Sequence, residues 1–273
     1  LARLAPREVL VADPVAESLR PLVEDMGAAL TALAPASFDS GSAERRLCNL
    51  YGVQTLDGFG QFARPERAAL GALVDYLDLT QRGKLPLLQP PTVESADAAV
   101  QIDAATRRNL ELTQALSGGR DGSLLAAMDR TVTAAGARLL ERRLSAPARR
   151  VDTALARQAC VSFLHGQSRL CGDLRQALKA VPDLDRALSR LALDRGGPRD
   201  LGAVRAALAQ AGALADMLHL PELPVLLADA RAGLLGHDHL LDALDTALVA
   251  EPPLLARDGG FIAPGHEPDL DEA

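Results

Sequence analysis

The stretch that decides the fold class runs from residue 198 to residue 218, PRDLGAVRAALAQAGALADML. Its apolar stripe, with spacings of three and four, comprises Leu201, Val204, Leu208, Ala211, Ala215 and Leu218. That spacing places the side chains on one face of an α-helix, and such a face needs a partner helix to cover it. Pro198 suits the first helical turn, where a missing N–H costs nothing. The sequence therefore predicts a long helix inside a helical domain.

Shorter helical patterns lie on both sides of this stretch. Apolar residues at helical spacing predict helices over 123–130, 133–144, 151–166, 169–181, 183–193 and 237–249. The segment 99–103 is a candidate short strand, and 254–263, around Asp258-Gly259-Gly260, predicts an extended or hairpin segment. We therefore expect a helical region with a short β element at its end.

The amino-terminal part has a different pattern. The short apolar runs 8–11 and 29–33 flank a helix-like segment near 15–27, which is typical of an α/β unit. A further helix is predicted to open at Pro65 and to run towards Gly83. The proline-rich segment 84–92 forbids a regular helix and predicts a linker. The predicted domains are residues 1–88 and 89–273.

Composition limits the classes of function. The net charge of −7 argues against a surface that binds nucleic acid all over, although residues 105–150 contain nine Arg against four acidic residues. No apolar run is long enough to span a bilayer, and neither an initiator Met nor an export signal opens the sequence. Three cysteines in different predicted elements suit a reducing cytoplasm. We expect a cytoplasmic piece of a longer chain.

No pattern predicts a catalytic, cofactor or metal site. The glycine-rich segment 117–122 follows no buried strand and lacks the Gly-Lys-Ser/Thr of a phosphate loop, so it predicts a turn. His237 and His239 flank Asp238 at a predicted helix start, where capping by Asp238 is the favoured interpretation. No Gly-x-Ser-x-Gly turn or convincing Cys–His pair indicates a nucleophile.

Several stretches resemble the MutS family, and they occur in the family's order. The most specific is 102–112, IDAATRRNLEL, which resembles the strand and turn that open the family's core domain. LYGV and LDGFG at 50–60 resemble its connector domain. Further similar segments lie at 131–147, 183–191, 198–201 and 252–262, so the resemblance covers essentially the whole chain.

The resemblance implies a mainly α fold in two parts. Residues 1–88 would be the carboxy-terminal part of a ribonuclease-H-like connector, and 89–273 the helical core or lever domain, ending near the start of the DNA clamp. The parent protein would bind mismatched duplex DNA as a homodimer, use ATP and Mg, and recruit MutL. This segment itself would bind no cofactor, would hydrolyse no ATP, and would link the DNA-binding regions to the ATPase.

Seven residues are candidates for structural or coupling roles. They are Arg107, Arg108, Asn109, Gly136, Arg138, Asp200 and Leu208. Because glycine is unfavourable inside a helix, Gly136 is expected at a close helix crossing. A competing hypothesis is a free-standing helical interaction module whose stripe around Leu208 recruits a partner helix. An enzyme is a third hypothesis, supported only by the glycines.

Overall fold

The computed structural model describes residues 3–95 and 98–271. They divide into two compact units, one formed by Leu1–Ala96 with Gln101–Asn109 and the other by Asp97–Val100 with Leu110–Ala273. Strands occur in the first unit and helices predominate in both, which confirms the predicted mainly α class with a small α/β part at the start. The boundary at residues 88 and 89 stays a prediction.

Among its described residues, the first unit contains two strands and four α-helices. In chain order they are β1 Glu8–Ala12, α1 Ala16–Asp25, β2 Ala29–Leu33, α2 Ser40–Tyr51, α3 Arg64–Thr80 and α4 Ala104–Asn109. The strands pair in parallel with Val9 opposite Leu30, and α1 is the crossover that a parallel pair requires. Pro65 lies in the first turn of α3, which confirms the predicted helix start.

The α2–α3 pair carries the core of the first unit. Asp39 caps α2 by accepting the backbone N–H of Ser42 at 2.7 Å, and Gly52 ends the helix at a φ of +64°. Leu47, Leu56 and Val74 form the buried cluster between these elements. Glu8 accepts hydrogen bonds from the hydroxyls of Thr31 and Tyr76, and these two donors lower the pKa of its carboxyl. The donors tie β2 and α3 to β1.

The second unit consists of helices joined by short turns. They are α5 Leu124–Met128, α6 Ala134–Ser145, α7 Val151–Gly166, α8 Ser168–Lys179, α9 Leu184–Ala192, α10 Pro198–Met217, α11 Val225–Gly233, α12 Asp238–Ala247 and α13 Pro268–Asp271. The helix α10 contacts α8, α9, α11 and α12. Leu174 of α8 packs with Leu214 and Leu218 at the carboxyl end of α10. The predicted long helix is therefore confirmed, and it lies at the centre of its unit.

Three details correct the sequence-based predictions. The candidate strand at 99–103 is reduced to a single antiparallel bridge between Ala99 and Ala148, and residues 104–109 form helix α4 instead of a strand and turn. The hairpin expected over 254–263 is likewise one bridge, between Leu248 and Ile262. Each bridge joins two segments that lie outside the helices and does not extend into a sheet.

A close helix crossing does exist, but at Gly71 instead of Gly136. A Cβ on Gly71 would overlap the Cβ of Ala43 and would lie 2.8 Å from its Cα. Arg46 donates to the Gly71 carbonyl at 2.8 Å and pairs with Asp75 at 3.2 Å. A Cβ on Gly136 would instead meet the hydroxyl of Thr133, at 2.9 Å, within its own first helical turn. The expectation for Gly136 was wrong because its neighbour is a helix cap.

We predict that Gly71→Leu destabilises the first unit by roughly 1–3 kcal/mol or more, because backbone atoms of α2 cannot move away from the new side chain. Gly41→Ala is the matched control in α2, where a Cβ would make ordinary contact at 3.5 Å. The control should be neutral or slightly stabilising, since alanine favours helices. Urea unfolding followed by circular dichroism measures both variants. Equal midpoints for Gly71→Leu and the unsubstituted chain would show that α2 and α3 do not cross here.

Candidate functional site

Arg138 connects the start of α6 with the start of α9. Its Nη1 lies 3.1 Å from Asp183 and its Nη2 lies 3.1 Å from Asp183 and 3.0 Å from Asp185. The hydrogen bond from Arg138 lowers the pKa of the Asp183 carboxyl, and the same contact raises the pKa of Arg138. The Asp183 side chain is mostly shielded from solvent, whereas the Asp185 side chain is exposed. The contact with Asp183 therefore positions Arg138 more firmly than the contact with Asp185 does.

Asp200 connects α9 with the amino terminus of α10. Its carboxylate accepts the backbone N–H of Gly197 at 2.9 Å and both oxygens lie 3.2 Å from Nε of Arg190. Arg190 also donates to the carbonyl of Arg195 in the turn between the helices. Asp200 thus fixes the first turn of α10 and the preceding turn together, as an acidic residue in a helix's first turn can.

Arg205 holds the segment that follows α12 against α10. It donates to the carbonyls of Leu248 at 3.2 Å and Ala250 at 2.6 Å, and its side chain is only 15% exposed. Sequence reasoning missed this residue, although a signal was present. Arg205 is the one charged residue between Asp200 and Asp216, in a stretch otherwise made of apolar and small residues plus Gln210.

Arg231 makes the corresponding contact at the other end of α10. It donates from Nε to the carbonyl of Ala215 at 3.1 Å, and its Nη2 lies 2.7 Å from Nδ1 of His219. Because arginine has no acceptor atom, His219 accepts through Nδ1 and carries its proton on Nε2. Four arginines, Arg138, Arg190, Arg205 and Arg231, thus link α6, α9, α10, α11 and the segment after α12. We call them the bracing arginines.

The other predicted residues take no part in the contacts made by the bracing arginines. Arg107, Arg108 and Asn109 end the short helix α4 in the first unit, where Arg107 is partly buried and its two neighbours are exposed. Leu208 is half-buried on α10. Gly136 donates its N–H to the capping hydroxyl of Thr133 at 3.0 Å. The structure therefore links Arg138 and Asp200 through α9, and Gly136 and Leu208 share the helices α6 and α10 with them without joining these contacts.

The predicted apolar stripe of α10 overlaps the buried face of the helix but does not coincide with it. Val204, Ala215 and Leu218 are buried as expected, and Leu208 is only half-buried. Ala207 and Leu214, which the predicted stripe omits, are buried as well. The reason is that α10 is covered from more than one side, so its buried face is wider than a single two-helix seam.

The search for a metal-binding arrangement covers the described residues. Within 3–95 and 98–271, no group of three or more His, Cys, Asp or Glu side chains could hold a metal ion. His237 is the cap residue of α12 and Asp238 is its first residue, with no side-chain capping bond, so the predicted capping by Asp238 was wrong. Across the part of the chain that the structure describes, no helix has the length and apolar character needed to span a membrane.

Two family models match the chain. Residues 1–89 match MutS domain II, and residues 105–266 match MutS domain III. The chain belongs to the MutS family. The bracing arginines, at 138, 190, 205 and 231, all lie within the region that matches domain III.

Curated relatives agree with this assignment to MutS. The chain is 66% identical to a DNA mismatch repair protein MutS from Cereibacter sphaeroides, and 64% identical to proteins of the same name from Paracoccus denitrificans and Ruegeria pomeroyi. Each match covers 100% of this chain and 31% of the relative. The chain therefore spans about a third of the length of these relatives, and it is a segment of a MutS-type mismatch repair protein.

We predict that the Arg190–Asp200 pair raises the free energy of unfolding by about 0.2–1 kcal/mol, a value typical of partly exposed ion pairs. A double-mutant cycle with Arg190→Ala and Asp200→Asn isolates this coupling from the loss of the cap. Asp200→Asn alone should cost more, because the N–H of Gly197 loses a charged acceptor. Arg199→Gln, at a neighbouring position, serves as the control and should change little. If the effects of the two substitutions on the free energy of unfolding were strictly additive, Arg190 and Asp200 would not stabilise the fold through their contact.

We predict an acid-sensitive contribution from Asp183. Its folded pKa is lowered, so its stabilisation is fully present above the unfolded value of about 3.9 and is lost as the pH falls through the folded pKa. The stability difference between the unsubstituted chain and Asp183→Asn should be constant from about pH 7 to pH 5 and shrink below about pH 4. Asp185→Asn should show a smaller difference. A difference that does not change with pH would contradict the Arg138 contact as its cause.

Proposed function

We propose that this segment mechanically links the DNA-contacting and ATP-hydrolysing parts of a MutS protein. The observation that carries the proposal is helix α10, whose 20 residues extend about 30 Å at about 1.5 Å per residue. It contacts four other helices and is held by arginines near both ends. A helix supported in this way moves as one body, so a displacement at one end is delivered to the other.

Several partners are inferred for the full-length parent, of which this chain is a segment. The relatives are named DNA mismatch repair proteins, and on that basis we infer that the parent binds mismatched duplex DNA. ATP with Mg, a homodimer, recruitment of MutL and a cytoplasmic location follow from the family resemblance. The segment contributes connector and core structure to this assembly and supplies none of its catalytic groups.

The structure supports the link over a free-standing interaction module. The module hypothesis requires an open stripe on α10 that could receive a partner helix. Val204, Ala215 and Leu218 of that stripe are instead buried within the unit, and Leu208 is half-buried. Much of the stripe is therefore used for internal packing, which favours the link.

The test is a proline at Ala211, in the middle of α10, introduced into the full-length parent. Proline there would remove one backbone hydrogen bond, clash with the preceding turn and cost about 3 kcal/mol or more. We expect normal basal ATPase activity and a reduced response of nucleotide exchange to mismatched DNA. Stopped-flow release of a fluorescent nucleotide, with and without a mismatched duplex, measures that response.

Two controls separate coupling from folding. Ala159→Pro introduces the same defect into the exposed face of α7, a helix that contacts α8 and α11. This variant should lose comparable stability and keep its DNA response. Circular dichroism and basal ATPase activity establish that both variants are folded. If the folded Ala211→Pro protein kept a normal mismatch-dependent exchange rate, α10 would not be the route of coupling.

A further inference from the structure

A surface cavity lies where the carboxyl end of α10 meets α11. Its volume is about 580 Å³, which is within the range of small-molecule sites in proteins. Most of its walls are apolar, and three polar side chains interrupt them, those of His219, Glu222 and Arg231. The apolar lining comprises Leu218, Leu220, Pro221, Leu223 and Ala228. His219 and Glu222 are exposed, so the cavity is accessible from solvent.

Arg231 brings to this cavity a positive charge that no carboxylate of the described residues pairs with. Its Nε donates to the carbonyl of Ala215 at 3.1 Å, and its Nη2 lies 2.7 Å from Nδ1 of His219. Both acceptors are uncharged, and the Arg231 side chain is partly buried. A guanidinium has five N–H donors, so three donors of Arg231 remain after these two contacts. The contacts therefore hold the guanidinium in place and leave its charge without a counter-charge.

His219 supplies a second, neutral donor to the same cavity. Because its Nδ1 accepts from Arg231, the imidazole carries its proton on Nε2. This N–H makes no hydrogen bond to another of the described residues. A carboxylate has two oxygens that accept from such donors, and its bonds with a guanidinium are among the strong ones in proteins. The cavity thus combines donors suited to a carboxylate with walls suited to an apolar group.

We propose that this cavity binds a carboxylate attached to a small apolar group, either a free organic acid or the carboxyl terminus of a peptide. The carboxylate supplies the counter-charge for Arg231, and the leucines cover the apolar group. Glu222 also lines the cavity, and its negative charge opposes a dianion such as phosphate more than a monoanion. A ligand bound there joins α11 to the end of α10, and the inference does not depend on the coupling role proposed for α10.

The experiment uses the 273-residue chain and 4-methylpentanoate as the probe, with the Nε–Hε resonance of Arg231 as the readout. The hydrogen bond to the Ala215 carbonyl protects this proton from exchange with water, and loss of the resonance in Arg231→Gln identifies it. The probe should shift the resonance saturably, whereas sodium chloride at equal ionic strength should not, which separates binding from screening. At ten times its dissociation constant, the probe should also raise the melting temperature by about 3 to 6 °C.

Two related compounds test the two halves of the ligand. Acetate keeps the charge and lacks most of the apolar group, and 4-methylpentanamide keeps the apolar group and lacks the charge. Each should bind roughly tenfold or more weakly than 4-methylpentanoate, because one loses apolar burial and the other loses a charged hydrogen bond.

Matched variants test the assignment to this cavity. Arg231→Gln should abolish the thermal shift, and Leu220→Ala should weaken binding about threefold or more, because apolar contact is lost. Glu222→Gln should bind at least as tightly as the unsubstituted chain, since it removes a negative charge from the wall. Asp229→Asn is the control, an exposed α11 residue outside the lining, and should leave the affinity unchanged. If Arg231→Gln does not fold, the Leu220→Ala and Asp229→Asn pair still decides between the outcomes.

A second probe distinguishes the two sources of the carboxylate. The dipeptide acetyl-alanyl-leucine, with its free carboxyl terminus, should bind more tightly than 4-methylpentanoate if the site takes a peptide end, and more weakly if it takes a free acid. Either result supports the carboxylate site. The proposal is overturned if neither probe moves the Arg231 resonance beyond the chloride control, or if the amide binds as tightly as the acid. It is also overturned if Glu222→Gln weakens binding, or if Asp229→Asn weakens it as much as Leu220→Ala does.

Discussion

The burial of α10 from several sides is the constraint on which the second unit depends. Its apolar face is too wide for one partner, and α8, α9, α11 and α12 each contact it. Five of its residues, Pro198, Val204, Ala207, Leu214 and Ala215, are buried. Small side chains along much of the helix let these neighbours approach closely, as at Gly202, where a Cβ would lie 3.3 Å from the ring of Pro252. The positions of the surrounding helices follow from that packing.

Apolar packing brings the helices together, and the hydrogen bonds of the bracing arginines fix how the helices are placed against one another. Hydrophobic contact is not directional, so on its own it permits neighbouring helices to slide or rotate. A guanidinium that donates to a particular carbonyl allows only one register. Arg205 defines where the segment after α12 meets α10, and Arg231 defines where α11 meets its far end. These contacts contribute modestly to stability and favour a single arrangement of the helices, which is what the proposed linking role requires.

Much of this architecture could be predicted from the sequence because it is local. The α7 bounds, the start of α3 at a proline and the course of α10 all follow from helical spacing and helix-start residues. Helix α2 was missed because its apolar residues are sparse between polar ones, although Asp39 and Gly52 are usable start and stop signals. The family resemblance, in contrast, covered the whole chain and was confirmed.

Contacts between distant residues were the part that sequence could not provide. Whether a helical glycine faces another helix depends on tertiary packing, so the crossing at Gly71 could not be found from the sequence. The cap beside Gly136, in contrast, is local, because Thr133 lies three residues before it. Arg138 and Asp200 were selected, but the sequence did not reveal their partners. The most distant of these, Asp185, lies 47 residues after Arg138. Arg231 was not selected, since a backbone carbonyl acceptor leaves no trace in the sequence. Arg205 was not selected either, although its position as the one charged residue in an apolar stretch was a usable signal.

The central claim is that α10 behaves as one rigid body at the centre of its unit. Native-state hydrogen exchange of the chain, resolved by residue, tests this most directly. The account predicts that the amides from Arg205 to Met217 open only with the whole second unit, at one common free energy shared with the buried amides of α8 and α9. Exchange of these α10 amides through a smaller, local opening, while α8 and α9 remain protected, would contradict it.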